Sequence, residues 1–159
     1  MNTQINADYL LQMAERIEHN GADFYRMAAA YVRDDRTAQL LLRLADIEAN
    51  HERIFAKMRK ELGPQTGGLE LDPKSETAEY LRELLAGKFF DVRTTPADLL
   101  RAKDSPQDIL LTAIGLEKET LIFYEGVKRV LRPQDQSAVE AVLREEMGHV
   151  TQLLQAVRL

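Results

Sequence analysis

Leu44-Ala45-Asp46-Ile47-Glu48-Ala49-Asn50-His51 and, 98 residues later, Val142-Leu143-Arg144-Glu145-Glu146-Met147-Gly148-His149 are two runs in which a helical apolar stripe carries a Glu-x-x-His pair. Residues three apart share one face of a helix, so each run can aim a carboxylate and an imidazole at a single point. One Glu-x-x-His is a common surface accident. Two at a fixed interval are specific.

Each pair has a Glu 30 or 29 residues upstream, with a Tyr seven residues beyond it: Glu18 with Tyr25, and Glu117 with Tyr124. Glu18 and Glu117 are 99 apart, and the two Glu-x-x-His pairs are 98 apart, so the halves form an internal repeat. Four carboxylates and two imidazoles in this order are what a carboxylate-bridged two-metal site within a four-helix bundle requires.

Four segments carry helical periodicity, at about 7–32, 36–62, 106–131 and 135–157. Asn6 is a candidate cap, Asp34-Asp35 a turn, Gly63-Pro64 a stop signal and Ser105-Pro106 a start signal. The inward stripes read Leu11, Ala14, Glu18, Gly21, Tyr25 in the first segment and Leu41, Leu44, Glu48, His51, Phe55 in the second. In the third they read Leu110, Ala113, Glu117, Thr120, Tyr124, and in the fourth Val139, Val142, Glu146, His149, Leu153. All six polar residues fall where an unpaired carboxylate is costly. Short turns join the first segment to the second and the third to the fourth, which predicts two antiparallel hairpins. The stretch 63–105 is then a crossover that returns along the bundle. Within it, Ser75 is placed to cap a short helix through Leu85, and a second is expected to begin at Pro96. The apolar residues Tyr80, Leu81, Leu84, Leu85, Phe89 and Phe90 can pack on the bundle or on a second subunit. The expected fold is all-α: a four-helix bundle of two hairpins joined by a long crossover, in one domain over 1–159.

Composition excludes several alternatives. With no cysteine among 159 residues there are no disulfides, thiolate zinc sites, iron–sulfur clusters or rubredoxin-type centres. A net charge of −5 without a basic stripe argues against nucleic acid. No apolar run is long enough for a membrane span, and the polar opening lacks the apolar core of a signal peptide, so a cytoplasmic location is expected.

Mixed carboxylate and imidazole ligation suits iron or manganese. Four carboxylates also cancel the charge of two divalent ions, giving a neutral cluster that a buried site tolerates. Tyr25 and Tyr124 read either as aromatic core or as donors to a ligand carboxylate. Glu15, one turn before Glu18, is either a solvated charge or an additional carboxylate for the metals. His19 points about 100° away from Glu18 and reads as a surface residue. Glu52, Glu119 and Glu145 flank the pairs and read as outward charges.

These residues resemble the ferritin-like superfamily and, within it, the rubrerythrin-type diiron proteins, over all four long segments. The resemblance implies that Glu48 and Glu146 bridge two iron ions, with Glu18 and Glu117 as terminal carboxylates and His51 and His149 as imidazole ligands. Manganese or zinc are the expected substitutes for iron. Tyr25 matches the tyrosine that rubrerythrins place near their first-helix Glu. Two departures stand out. Rubrerythrins carry an additional Glu one turn before the third-helix ligand, where this chain has Ile114; the equivalent place in the first half is Glu15. They also usually carry a rubredoxin-type centre, so here the electrons are expected from an external donor. With the fourth helix reaching Arg158-Leu159, no fifth helix of the ferritin-cage kind is expected.

The resemblance implies an oxidoreductase that oxidises a diferrous centre with hydrogen peroxide or dioxygen, by peroxide reduction or ferroxidase activity. The alternative is a binding protein that sequesters iron or another divalent metal without turnover. A bundle holding the six residues as a metal-free polar network ranks below both, because four carboxylates would face only two imidazoles. The apolar crossover leads to the expectation of a homodimer or higher homo-oligomer.

Overall fold

The computed structural model describes residues 5–63, 72, 74–88, 95–101 and 105–158. Six α-helices are found among them: α1 (Ala7–Tyr31), α2 (Asp35–Leu62), α3 (Glu76–Glu83), α4 (Pro96–Arg101), α5 (Pro106–Val130) and α6 (Pro133–Val157). A π-helical turn, Leu84–Lys88, continues α3 past Gly87. The four long helices form the bundle, and α3 and α4 belong to the crossover. Phe89, Phe90 and Gly67-Gly68 lie outside the described residues.

Helix ends follow local side-chain chemistry. The Asn6 side chain accepts from the Tyr9 amide at 2.9 Å, Asp34 from Thr37 at 2.7 Å, Ser75 from Ala78 at 3.1 Å and Ser105 from Asp108 at 3.1 Å. Each satisfies an amide that the first turn leaves without a partner, worth about 1 kcal/mol. The end of α2 is set by Gly63, whose φ of 61° suits glycine rather than an L side chain. α6 starts at Pro133 rather than at 135. The proline ring fixes the first helical φ and holds Arg132 extended, and Arg132 pairs with Asp135 at 2.6 Å.

Contacts at mid-bundle fix the relative directions of the long helices. Tyr25 meets Glu117 and Tyr124 meets Glu18, so numbering rises along α1 as it falls along α5. His51 meets Glu146 and Glu48 meets His149, which makes α2 and α6 antiparallel in the same way. With α1–α2 and α5–α6 as hairpins, α2 finishes at the end of the bundle opposite the start of α5. The crossover therefore covers the length of a 25-residue helix, about 37 Å at 1.5 Å per residue.

The apolar core is divided in two. One cluster contains Leu10, Leu11, Ile17, Phe55, Phe123, Val127 and Val142, and Leu81 and Leu84 from the crossover join it. The other contains Phe24, Leu41, Leu44, Leu110, Ile114 and Leu153, joined by Leu100 of α4. The two helices of the crossover thus close opposite ends of the bundle. Leu81 and Leu84 are buried on the bundle, while Tyr80 stays 41% exposed with its hydroxyl on the Ile122 carbonyl at 2.9 Å. Among the described residues, no helix is long and apolar enough to cross a membrane.

Close docking of α3 depends on Gly126. A Cβ there would sit 2.8 Å from Leu81 Cδ2 and 2.9 Å from Tyr80 Cε1. Gly126→Ala is therefore expected to lift α3 while α5 gains the ~1 kcal/mol helix preference of alanine. Hydrogen exchange should show α3 amides exchanging roughly tenfold faster with little change in the four long helices. Unchanged protection in α3 would show that the packing tolerates the methyl.

Candidate metal centre

Between the two apolar clusters lies a polar layer made of Glu18, Glu48, His51, Glu117, Glu146 and His149, every one of them buried. α1 and α5 each supply one Glu; α2 and α6 each supply a Glu and the His one turn later. The side chains converge because the inward stripes of four helices reach the same level. All six residues singled out in the sequence come together here.

They form two groups that share Glu48 and Glu146. Glu18, Glu48, His51 and Glu146 bring one ligand atom each within 4.8 Å of one another, and so do Glu48, Glu117, Glu146 and His149. His51 Nδ1 lies 2.9 Å from Glu146 Oε1 and 3.5 Å from Glu18 Oε2. His149 Nδ1 lies 2.9 Å from Glu146 Oε2, 3.1 Å from Glu48 Oε1 and 3.6 Å from Glu117 Oε1. The two imidazole rings stack with centroids 5.9 Å apart, near the pseudo-two-fold axis.

Convergence without hydrogen bonding tests whether a metal pair fits. Glu18 Oε2, Glu48 Oε1, both Glu146 oxygens and the Nδ1 atoms of His51 and His149 are buried and make no hydrogen bond among the described residues. Folded proteins rarely leave buried polar atoms in that condition. The imidazole–carboxylate separations among them, 2.9–3.5 Å, match the edges of a shell whose bonds are about 2.1 Å long. The donor set and its geometry fit two divalent ions.

Two tyrosines brace the layer from opposite sides. The Tyr25 hydroxyl donates to Glu117, and the Tyr124 hydroxyl donates to Glu18. Each tyrosine thus serves the carboxylate of the other half, not the one on its own helix. Burial, followed by the surrounding carboxylate charge, raises both phenols well above their ordinary value, so they remain donors.

Electrostatics in the layer favour retained protons. Burial alone would lower His51, but Glu146 and Glu18 outweigh it and raise the ring to about 11. The same contest at His149, with Glu117 and Glu146, ends at about 9. Glu117 is raised to about 8 by burial, with the His149 ring opposing. Glu48 is raised well above its ordinary value by burial and then by the charges of Glu18, Glu117 and Glu146. Burial pushes Glu146 upward too, yet the two flanking imidazoles win and hold it below the usual carboxylate range.

Glu15, His19 and Glu145 flank the layer, and of these three Glu145 departs from its sequence reading. Glu15 is turned to Arg59, its Oε1 3.5 Å from the guanidinium, which also binds Asp8 at 2.7 Å. It is not drawn into the polar layer. His19 is a surface residue, 59% exposed, beside Asp23 and Glu52. Glu145, read as an outward charge, places Oε2 3.0 Å from His51 Nε2. Its own helix turns it toward solvent, but α2 runs alongside and brings the far edge of the His51 ring within reach. Gly21 was legible only as an inward position; a Cβ there would lie 3.2 Å from Glu48 Oε2. The repeat partner of Gly21 is Thr120, which is also buried.

Comparison with known proteins agrees with this geometry. A solved structure from Thermotoga maritima, described as a candidate ferritin-like diiron-carboxylate protein, superposes with a TM-score of 0.77. It is 26% identical, and the match covers 99% of this chain and 98% of that one. No curated protein matches the sequence. The sequence pattern of the Rubrerythrin family matches residues 9–93, which takes in Glu18, Tyr25, Glu48 and His51 and more than half of the chain. The fold is that of a ferritin-like bundle, and the chain belongs to the Rubrerythrin family.

Proposed function

We propose that the protein is a diiron oxidoreductase in which Glu18, Glu48, His51, Glu117, Glu146 and His149 hold two iron ions. The observation that carries this reading is the set of buried carboxylate and imidazole atoms that converge without hydrogen-bonding one another. Iron, when bound, supplies two electrons, one from each ferrous ion, to hydrogen peroxide or dioxygen. The residues of the chain do the rest. Glu48 and Glu146 belong to both groups and would be shared between the two ions, while Glu18 and Glu117 would each serve one. Tyr25 and Tyr124 hold those outer carboxylates in orientation and keep their own protons. The apolar clusters on either side exclude water from the layer. These residues include no cysteine, so the reducing electrons come from a separate donor.

Ferroxidation or iron sequestration is the second reading, and one observation favours it. Ile114 is buried in the apolar cluster at the position opposite Glu15, and Glu15 itself is held by Arg59. Among the described residues, neither of these two positions therefore offers a fifth carboxylate to the layer. Sustained peroxide consumption with an external reductant supports the oxidoreductase; oxidation of bound iron that stops after one cycle supports sequestration.

The primary test is anaerobic titration of metal-free protein with ferrous iron. About two tight equivalents per chain are expected, and Glu48→Ala combined with Glu146→Ala should remove both. No tight uptake in the wild type would overturn the dinuclear reading.

Protonation gives a second prediction. His51, His149 and Glu117 all bind protons more tightly in the folded chain than in the unfolded one. The stability that the imidazoles contribute is complete below their unfolded value of 6.5 and is lost toward about 9 for His149 and about 11 for His51. Glu117 opposes folding increasingly from 4.5 to about 8. All three act in the same direction between pH 6.5 and 8, so metal-free protein should lose stability as pH rises. Each extra bound proton costs about 1.4 kcal/mol per pH unit, or roughly 3–6 °C in Tm. The stabilisation gained on adding metal should widen over the same range, read by calorimetry with and without zinc; a metal-free Tm flat from pH 6.5 to 8 contradicts it.

Gly21→Ala should separate stability from binding. Alanine favours the α1 helix by ~1 kcal/mol, while its methyl crowds Glu48. Metal-free Tm is expected to rise and ferrous affinity to fall; a rise in both would show that Glu48 relaxes freely.

A further inference from the structure

The two halves of the site are not equivalent in what stands behind their imidazoles. His51 turns Nδ1 to the cluster and places Nε2 3.0 Å from Glu145 Oε2. His149 also turns Nδ1 to the cluster, but its Nε2 is buried and makes no hydrogen bond among the described residues. The repeat explains the difference. Glu145 lies 98 residues after Ile47, so the repeat position of the residue that offers an acceptor to His51 is a half-buried isoleucine with none to offer.

A neutral imidazole carries one N–H. Where Nε2–H donates to a carboxylate, Nδ1 is left with its lone pair facing the ligand position, and the ring is held at the right rotation. The neighbouring negative charge also makes that lone pair a better donor. His149 has no such partner among the described residues, so no acceptor holds its Nε2–H or fixes the ring from behind. We propose that Glu145 is a positioning residue for His51 and that it makes the two metal positions unequal. The position at Glu18, Glu48, His51 and Glu146 fills first, and the position at Glu48, Glu117, Glu146 and His149 fills second. This rests on the dinuclear reading above.

Glu145 is exposed on α6, so replacing it leaves the core intact. The experiment is anaerobic ferrous titration against a competing chelator, resolved into two steps. The wild type is expected to show unequal steps. Glu145→Leu should weaken the first step by about 10- to 100-fold and leave the second unchanged. Glu145→Gln retains an acceptor for Nε2–H and should restore most of the loss, which a simple strap between α2 and α6 through charge would not. Ile47→Glu should strengthen the second step. In zinc-loaded protein labelled with ¹⁵N, the His51 Nε2–H resonance should move in Glu145→Leu, and that of His149 should not. Equal steps in the wild type, or a first step unaffected by Glu145→Leu, would overturn the proposal while leaving two-metal binding in place. A wild type that takes up no metal would instead overturn the reading beneath it.

Discussion

Four carboxylates brought to one level inside an apolar bundle are the constraint around which this chain is built. Burial penalises each charge, and each carboxylate raises the cost of ionising the next, as at Glu48. Two imidazoles and two phenols answer part of that charge, yet several inward oxygens and nitrogens still lack hydrogen bonds. Such a layer persists only if apolar packing above and below holds it. The core is accordingly split into two clusters, with α3 and α4 closing opposite ends. The crossover is long because it must reach both.

The repeat explains why the layer is so nearly symmetric, and its departures show where symmetry gives way. Each tyrosine braces the carboxylate of the other half, so the hairpins are tied across the pseudo-two-fold axis. Packing α1 against α5 is thereby linked to orienting two of the carboxylates. Against that background, Gly21 faces Thr120, Glu15 faces Ile114 and Glu145 faces Ile47 across the repeat. The first leaves room for Glu48. The second leaves the layer at four carboxylates. The third gives one imidazole a partner and denies it to the other.

Membership of the Rubrerythrin family accounts for the ligand order, and the same chain differs from that pattern in how it manages charge near the site. Glu15 is engaged with Arg59 and Asp8 at the rim, a contact that neutralises it far more cheaply than entry into the layer would. The apolar side chain of Ile114 extends the cluster next to the layer. Both choices keep the layer compact and confined to the same six buried residues.

The helical stripes and the ligand order were legible because they are local properties. A helix repeats every 3.6 residues whatever surrounds it, so Glu18, Glu48, His51, Glu117, Glu146 and His149 could be placed on inward faces from spacing alone. Helix ends were legible to within a residue or two for the same reason: Asn6, Asp34, Ser75 and Ser105 cap through atoms three residues away. What spacing could not supply was the relation between helices. Whether Leu81 and Leu84 cover the bundle, which Glu receives Tyr25, and whether Glu15 points inward all depend on contacts distant in sequence. Glu145 is the clearest case. On its own helix it is a solvent-facing charge, and only the antiparallel approach of α2 makes it the partner of His51. The sequence by itself determined the fold class and the convergence of six polar side chains, because periodicity and repetition are carried along one chain. The tertiary structure alone decided who supports each ligand, because that depends on which helix faces passed beside one another when the bundle closed.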